Sequence, residues 1–151
     1  QLIPEIAYVS DNKMIAVADK NIMVFDGSQK PKLKQKIKLE KQIDSVFYNN
    51  KYIGVAYSNN DKKCTSHIKL YDFNGKMLME NDTSIAYRNI EFDSNNEVCV
   101  TGETACEIYT IHGVKKFYHT FDQKLYKVMY KSGINNYIFI YEGAMDEVRL
   151  K

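Results

Sequence analysis

Few residues in this sequence have both the type and the spacing to do chemistry. Cys64 and His67 stand in a CxxH spacing, and His112 and His119 follow much later. A structural zinc site takes two close ligand pairs. Only one such pair occurs, so the reading is a loop thiol beside a strand-edge histidine, and no metal is expected. "DFNGK" from Asp72 opens like a calcium loop, yet the later oxygen ligands and the bidentate Glu are missing. It reads as a hairpin turn. No GxSxG elbow and no phosphate-cradling GxGxxG or GxxxxGK occurs, and no acid partners a histidine in an obvious way. No cofactor is expected.

Three polar groups are candidates for a site. The first is "SNNDKKCTS", residues 58 to 66, a long polar connection whose Asn59, Asn60, Asp61, Lys62 and Lys63 are read as ligand or partner contacts. Its plain alternative is a tolerated surface insertion. The second is a set of acids in corresponding connections: Asp19, Asp61, Glu103, and Glu142 or Asp146. On one face they would attract a cation or a basic peptide, although acids in turns are common. Asp44, Glu91 and Asp93 form the third set, the carboxylates a hydrolase or lyase would draw on.

The elements that must position these groups are strands. Helical periodicity is nearly absent, and short alternating runs are punctuated by clusters such as Ser10-Asp11-Asn12, Asp26-Gly27-Ser28, Asn49-Asn50 and Ser132-Gly133. The chain is all-β, and it repeats. An apolar residue followed two places later by an aromatic occurs as Ile6-x-Tyr8, Val46-x-Tyr48, Ile90-x-Phe92 and Val128-x-Tyr130, the aromatics falling 40, 44 and 38 residues apart. Each is followed by a continuously apolar second strand ("MIAVA", "YIGVAY", "EVCVT", "YIFIY"), predicted to be buried on both faces. A third strand comes next ("NIMVFD", "HIKLYD", "CEIYT", "DEVRLK"), with Phe25, Tyr71 and Tyr109 near its end predicted to pack between repeats. The turns with Gly27, Gly75 and Gly113 lead to Lys-rich fourth strands, as suits an edge protected against aggregation. At Asn74 and His112, before two of those glycines, left-handed backbone is expected.

A four-stranded meander of about 40 to 45 residues is a β-propeller blade. The expectation is one all-β, propeller-like segment of three four-stranded antiparallel blades plus a partial fourth, with approximate units 1–41, 42–85, 86–123 and 124–151. One chain then holds an incomplete ring, and open blade faces predict self-association or a protein partner. With 21 basic and 19 acidic residues the chain carries no footprint for nucleic acid. No apolar run approaches a membrane span, and no signal peptide is visible. The start at Gln1 suggests an upstream segment. Three cysteines, an odd number, argue against a disulfide framework, while the sequence leaves open a Cys99–Cys106 bridge.

The segments "IKLYDFNGKML", "NIEFDSNNEVCVTGETACEIYTIHGVKKFYHTFDQKLYKV" and "YIFIYEGAMDEVRLK" resemble the C-terminal part of an uncharacterised bacterial propeller-like family, domain-of-unknown-function family 5711. The resemblance implies a fragment of a membrane-anchored parent, with one upstream span and the propeller outside the cytoplasm. It brings no catalytic residues. The expected function is a non-catalytic binding or scaffold module. The alternatives are an enzyme with a pocket in the propeller channel and a purely structural assembly domain.

Overall fold

The computed structural model describes residues 5–58 and 66–150, and all regular structure among them is strand. Four antiparallel meanders follow one another: β1 (Glu5–Ser10), β2 (Lys13–Ala18), β3 (Asn21–Asp26) and β4 (Lys32–Lys38); β5 (Ser45–Tyr48), β6 (Tyr52–Ser58), β7 (Ser66–Asp72) and β8 (Met77–Asp82); β9 (Asn89–Phe92), β10 (Val98–Thr101), β11 (Ala105–Tyr109) and β12 (Lys115–Thr120); then β13 (Leu125–Tyr130), β14 (Asn136–Tyr141) and β15 (Ala144–Arg149). Strand order within each sheet is sequence order. Three sheets have four strands and the last has three, the blade pattern the repeats predict. The chain divides into two compact units, β1 to β8 making the first and β9 to β15 the second, with the boundary at the end of β8.

Short polar side chains fold the turns. Asn49 Oδ1 accepts the N–H groups of Lys51 and Tyr52 at 2.9 and 2.8 Å, and Asp93 Oδ1 accepts those of Asn95 and Glu97, both at 2.9 Å. Asp72 does the same for Asn74 and Lys76 (2.9 Å each). The backbone then reverses at Gly75, φ +85°, and at Gly113, φ +84°. Asn74 and His112 do not adopt the left-handed conformation expected of them; among the described residues only Asp19, Asn96 and Asn135 do so without being glycine. An aspartate bracing the turn needs only one left-handed position, and glycine fills it at least cost.

Adjacent sheets within a unit are tied at matching places. In the first unit the N–H of Leu39 bonds the Lys20 carbonyl (2.7 Å) and that of Ile43 bonds the Asp19 carbonyl (2.8 Å). In the second, Phe121 bonds Thr104 (2.7 Å) and Leu125 bonds Glu103 (2.8 Å). Ile43 and Leu125 are fully buried, and Ile85 holds the corresponding place before β9 at 7% exposure. The chain arriving at a new sheet therefore docks on the β2–β3 or β10–β11 corner and plugs it with one aliphatic side chain.

Both cores are built from the inward rows of these sheets. Ile15, Val17, Ile22 and Val24 pack with Ile53, Val55, Tyr71 and Phe73 in the first unit; Cys99, Cys106 and Ile108 pack with Val128, Tyr137 and Phe139 in the second. Cys99 and Cys106 are buried free thiols. Burial pushes Cys106 up to about 12 and Cys99 upward too, which keeps both in the unreactive thiol form. Strands β6 and β10 are buried on both faces as predicted, whereas β2 and β14 alternate. The difference is physical: among the described residues one face of the first sheet and one of the last are exposed, at Ile6, Tyr8, Met129 and Met145. The connection after β14 is only Glu142-Gly143, since Ala144 and Met145 already belong to β15.

Phe47 of β5 lies directly opposite Gly54 of β6, and its ring covers the space a side chain would need: a Cβ on Gly54 would come within 2.1 Å of the ring. Gly54→Ala is therefore expected to lower stability by about 1–3 kcal/mol, read as a fall in the urea midpoint. An unchanged midpoint would show that the ring moves aside freely.

Candidate functional site

Most of the charged residues singled out by sequence are committed to local structure. Asp44 Oδ2 accepts the Ser58 N–H (2.7 Å) and Oγ–H (2.8 Å), Asp93 braces its turn, and Glu91 pairs with Lys127 at 3.9 Å. Glu91, Asp93 and Lys127 do border one cavity, a cleft of about 160 Å³ between β9 and β13. His67 Nε2 lies 2.8 Å from Glu80, and its sequence partner Cys64 is outside the described residues. So are Asn59, Asn60, Asp61, Lys62 and Lys63. Asp19, Glu103 and Glu142 are exposed, the first two at the corners whose carbonyls receive the next sheet. Among the described residues no three His, Cys, Asp or Glu side chains converge as a metal site.

Two buried glutamates were not singled out. Glu107, 0% exposed, takes the Ser84 N–H (2.9 Å), the Tyr109 hydroxyl and the Lys115 ammonium (2.9 Å). Glu97, 4% exposed, takes the Tyr137 hydroxyl and the Lys116 ammonium, and Lys116 also reaches Asn135 Oδ1 at 2.8 Å. Lys115 and Lys116 are consecutive in β12 and so point to opposite faces, each neutralising a different acid. Burial raises both carboxyls, but the Tyr, Lys and backbone hydrogen bonds outweigh it and hold both below the ordinary value. Asp93, beside Glu97, is pushed up to about 6, by burial first and then by the charge of Glu97.

An open cleft of about 450 Å³ lies in the second unit between the outer strand β12, the 121–123 connection and the β14–β15 hairpin. Residues two apart on facing strands build it: Phe117 and His119 from β12, Phe139 and Tyr141 from β14, Asp146 and Val148 from β15. Phe121 and Asp122 close one side. Ring centroids are 5.4 Å apart for Phe117–Phe139 and 5.5 Å for both Phe121–Phe139 and Phe121–Tyr141. Burial first, and then the Asp146 carboxylate beside it, raises the pKa of the Tyr141 hydroxyl.

A different surface covers the outer face of the first sheet. Cross-strand register aligns Ile6, Ala16 and Met23 in one row and Tyr8, Met14, Phe25 and Leu33 in the next. Ile6 is 69%, Tyr8 59% and Leu33 52% exposed. The last sheet has its own uncovered face, where Met129 opposes Ile138 and Ile140 opposes Met145.

Over residues 1–150 the sequence matches the family of unknown function DUF5711. The chain belongs to that family. No curated protein resembles it in sequence. Solved structures similar to this DUF5711 chain include BBS1N in complex with ARL6DN (13% identity, TM-score 0.59, 99% of this chain and 47% of that one). Another is Hsv2p of Kluyveromyces lactis (10% identity, TM-score 0.58, covering 100% and 51%). A third is a protein of unknown function from Bacteroides caccae (10% identity, TM-score 0.54, covering 97% and 56%). BBS1N and Hsv2 are propellers, so the DUF5711 chain has a β-propeller-like fold and spans about half the length of the structures it matches.

Removing Lys116 leaves Glu97 buried without its cation. Lys116→Met is expected to cost about 3–5 kcal/mol, and Lys116→Met with Glu97→Gln to recover most of that in urea unfolding. Asp93 gives a pH signature. Between its ordinary value and about 6 the folded chain keeps a proton that the unfolded chain releases, so stability falls as pH rises through that window. Asp93→Asn keeps the turn's acceptor and should be more stable than the parent at neutral pH, with the advantage gone below the window; an advantage independent of pH would contradict the assignment.

Proposed function

We propose that this DUF5711 chain is a non-catalytic propeller module that binds protein through its uncovered sheet faces. One observation carries the reading: the outer face of β1 to β4 presents two aligned apolar rows, Ile6-Ala16-Met23 and Tyr8-Met14-Phe25-Leu33, to solvent. Such a contiguous patch on a folded surface marks an interaction site, and sheet faces in this fold are covered by further blades. Matched structures about twice as long as this chain support the same reading, as does the propeller neighbour BBS1N, seen in complex with ARL6DN. The buried acids of the second unit each have their lysine, which supports a structural role for them. Placement outside the cytoplasm on an upstream anchor is part of the proposal and rests on the family resemblance.

A second copy of the chain is the simplest source of further blades. Light scattering across a concentration series should show the 151-residue chain associating with itself. Tyr8→Lys, which places a charge in the exposed row, should shift it to monomer without changing its circular dichroism. A monomer at every concentration, or a dimer indifferent to Tyr8→Lys, would refute this use of the face.

A further inference from the structure

We propose that the cleft between β12 and the β14–β15 hairpin binds a small organic cation, a quaternary ammonium or guanidinium group on a short stem. This is independent of the apolar sheet face. Its lining combines four aromatic rings, Phe117, Phe121, Phe139 and Tyr141, with two carboxylates, Asp122 and Asp146. In a chain with 21 lysines and arginines, none stands among the described residues that line the cleft, where the basic side chain is His119, and neither aspartate has a lysine or arginine partner among the described residues. Two carboxylates bordering one cavity, with no lysine or arginine in its described lining, leave it a local negative charge.

The rest of the lining selects the kind of cation. Aromatic faces carry negative quadrupole potential and attract large, weakly hydrated cations better than small, strongly hydrated ions. A cavity of about 450 Å³ is within the range of small-molecule sites and far larger than a metal ion needs. Phe139 and Tyr141 are almost fully buried and form a firm floor, whereas Asp122 and Asp146 are exposed at the rim, where a charged group could leave water with its counter-charge already in place.

The test is calorimetric titration of the intact chain with choline and with agmatine, against 3,3-dimethylbutanol, the neutral counterpart of choline. At least one cation should bind saturably with Kd of about 1 mM or tighter, and the alcohol about tenfold more weakly or not at all. The stronger of the two cations identifies the headgroup. Asp122→Asn and Asp146→Asn, both at exposed positions and so expected to leave the fold intact by circular dichroism, should each weaken binding by about tenfold. Aromatic proton signals should shift on binding, which checks the location in the parent chain. No saturable binding of either cation up to about 10 mM, equal binding of the alcohol, or affinity unchanged in both variants would overturn the proposal.

Discussion

An antiparallel sheet stacked among others has two faces to cover, and the joint between successive sheets decides whether that happens. Here the joint is a backbone hydrogen bond with an aliphatic plug: Ile43 on the carbonyl of Asp19, Leu125 on that of Glu103. Each fixes the next sheet against the previous one at or just ahead of its first strand. The inward rows then meet in one core per unit, Val17 and Val24 with Val55 in the first and Ile108 with Phe139 in the second. Where no such neighbour exists, the same residue types stay in water, and the exposed Tyr8 and Met145 are the result.

Much of this architecture was readable from residue order. Strand positions came from alternation, edges from the lysines of β4 and β12, and turns from Asp72 with Gly75 or Thr110 with Gly113, because these signals are local and lie within a few residues. The plugs Ile43, Ile85 and Leu125 were also visible, as lone apolar residues recurring at nearly the blade interval in otherwise polar connections. A single apolar residue once per blade carries no alternation, so periodicity does not bring it out.

The charged clusters and the cleft could not be read the same way. Glu97 meets Lys116 across a turn and two strands, and meets Tyr137 only in the next sheet. Nothing in the sequence around Glu97 distinguishes a buried glutamate from the exposed Glu103 a few residues later. The aromatic cleft likewise joins Phe117 to Phe139 and Asp146, residues related only by the stacking of sheets. Propensity and periodicity report which way a side chain points from its own strand, and not what lies opposite it.

The adjacent pair Lys115 and Lys116 ties the length of one turn to the neutrality of two buried acids. The third sheet carries on its own outer strand the counter-charges for both Glu107 and Glu97, so its electrostatic compensation is internal to the sheet. What it requires of flanking segments is modest: a backbone amide where Ser84 stands, and a hydroxyl where Tyr137 stands. A deletion of one residue in the turn at Gly113 would move Lys116 into the place of Lys115 and Phe117 into that of Lys116, so Glu107 would keep a lysine while Glu97 would lose its own.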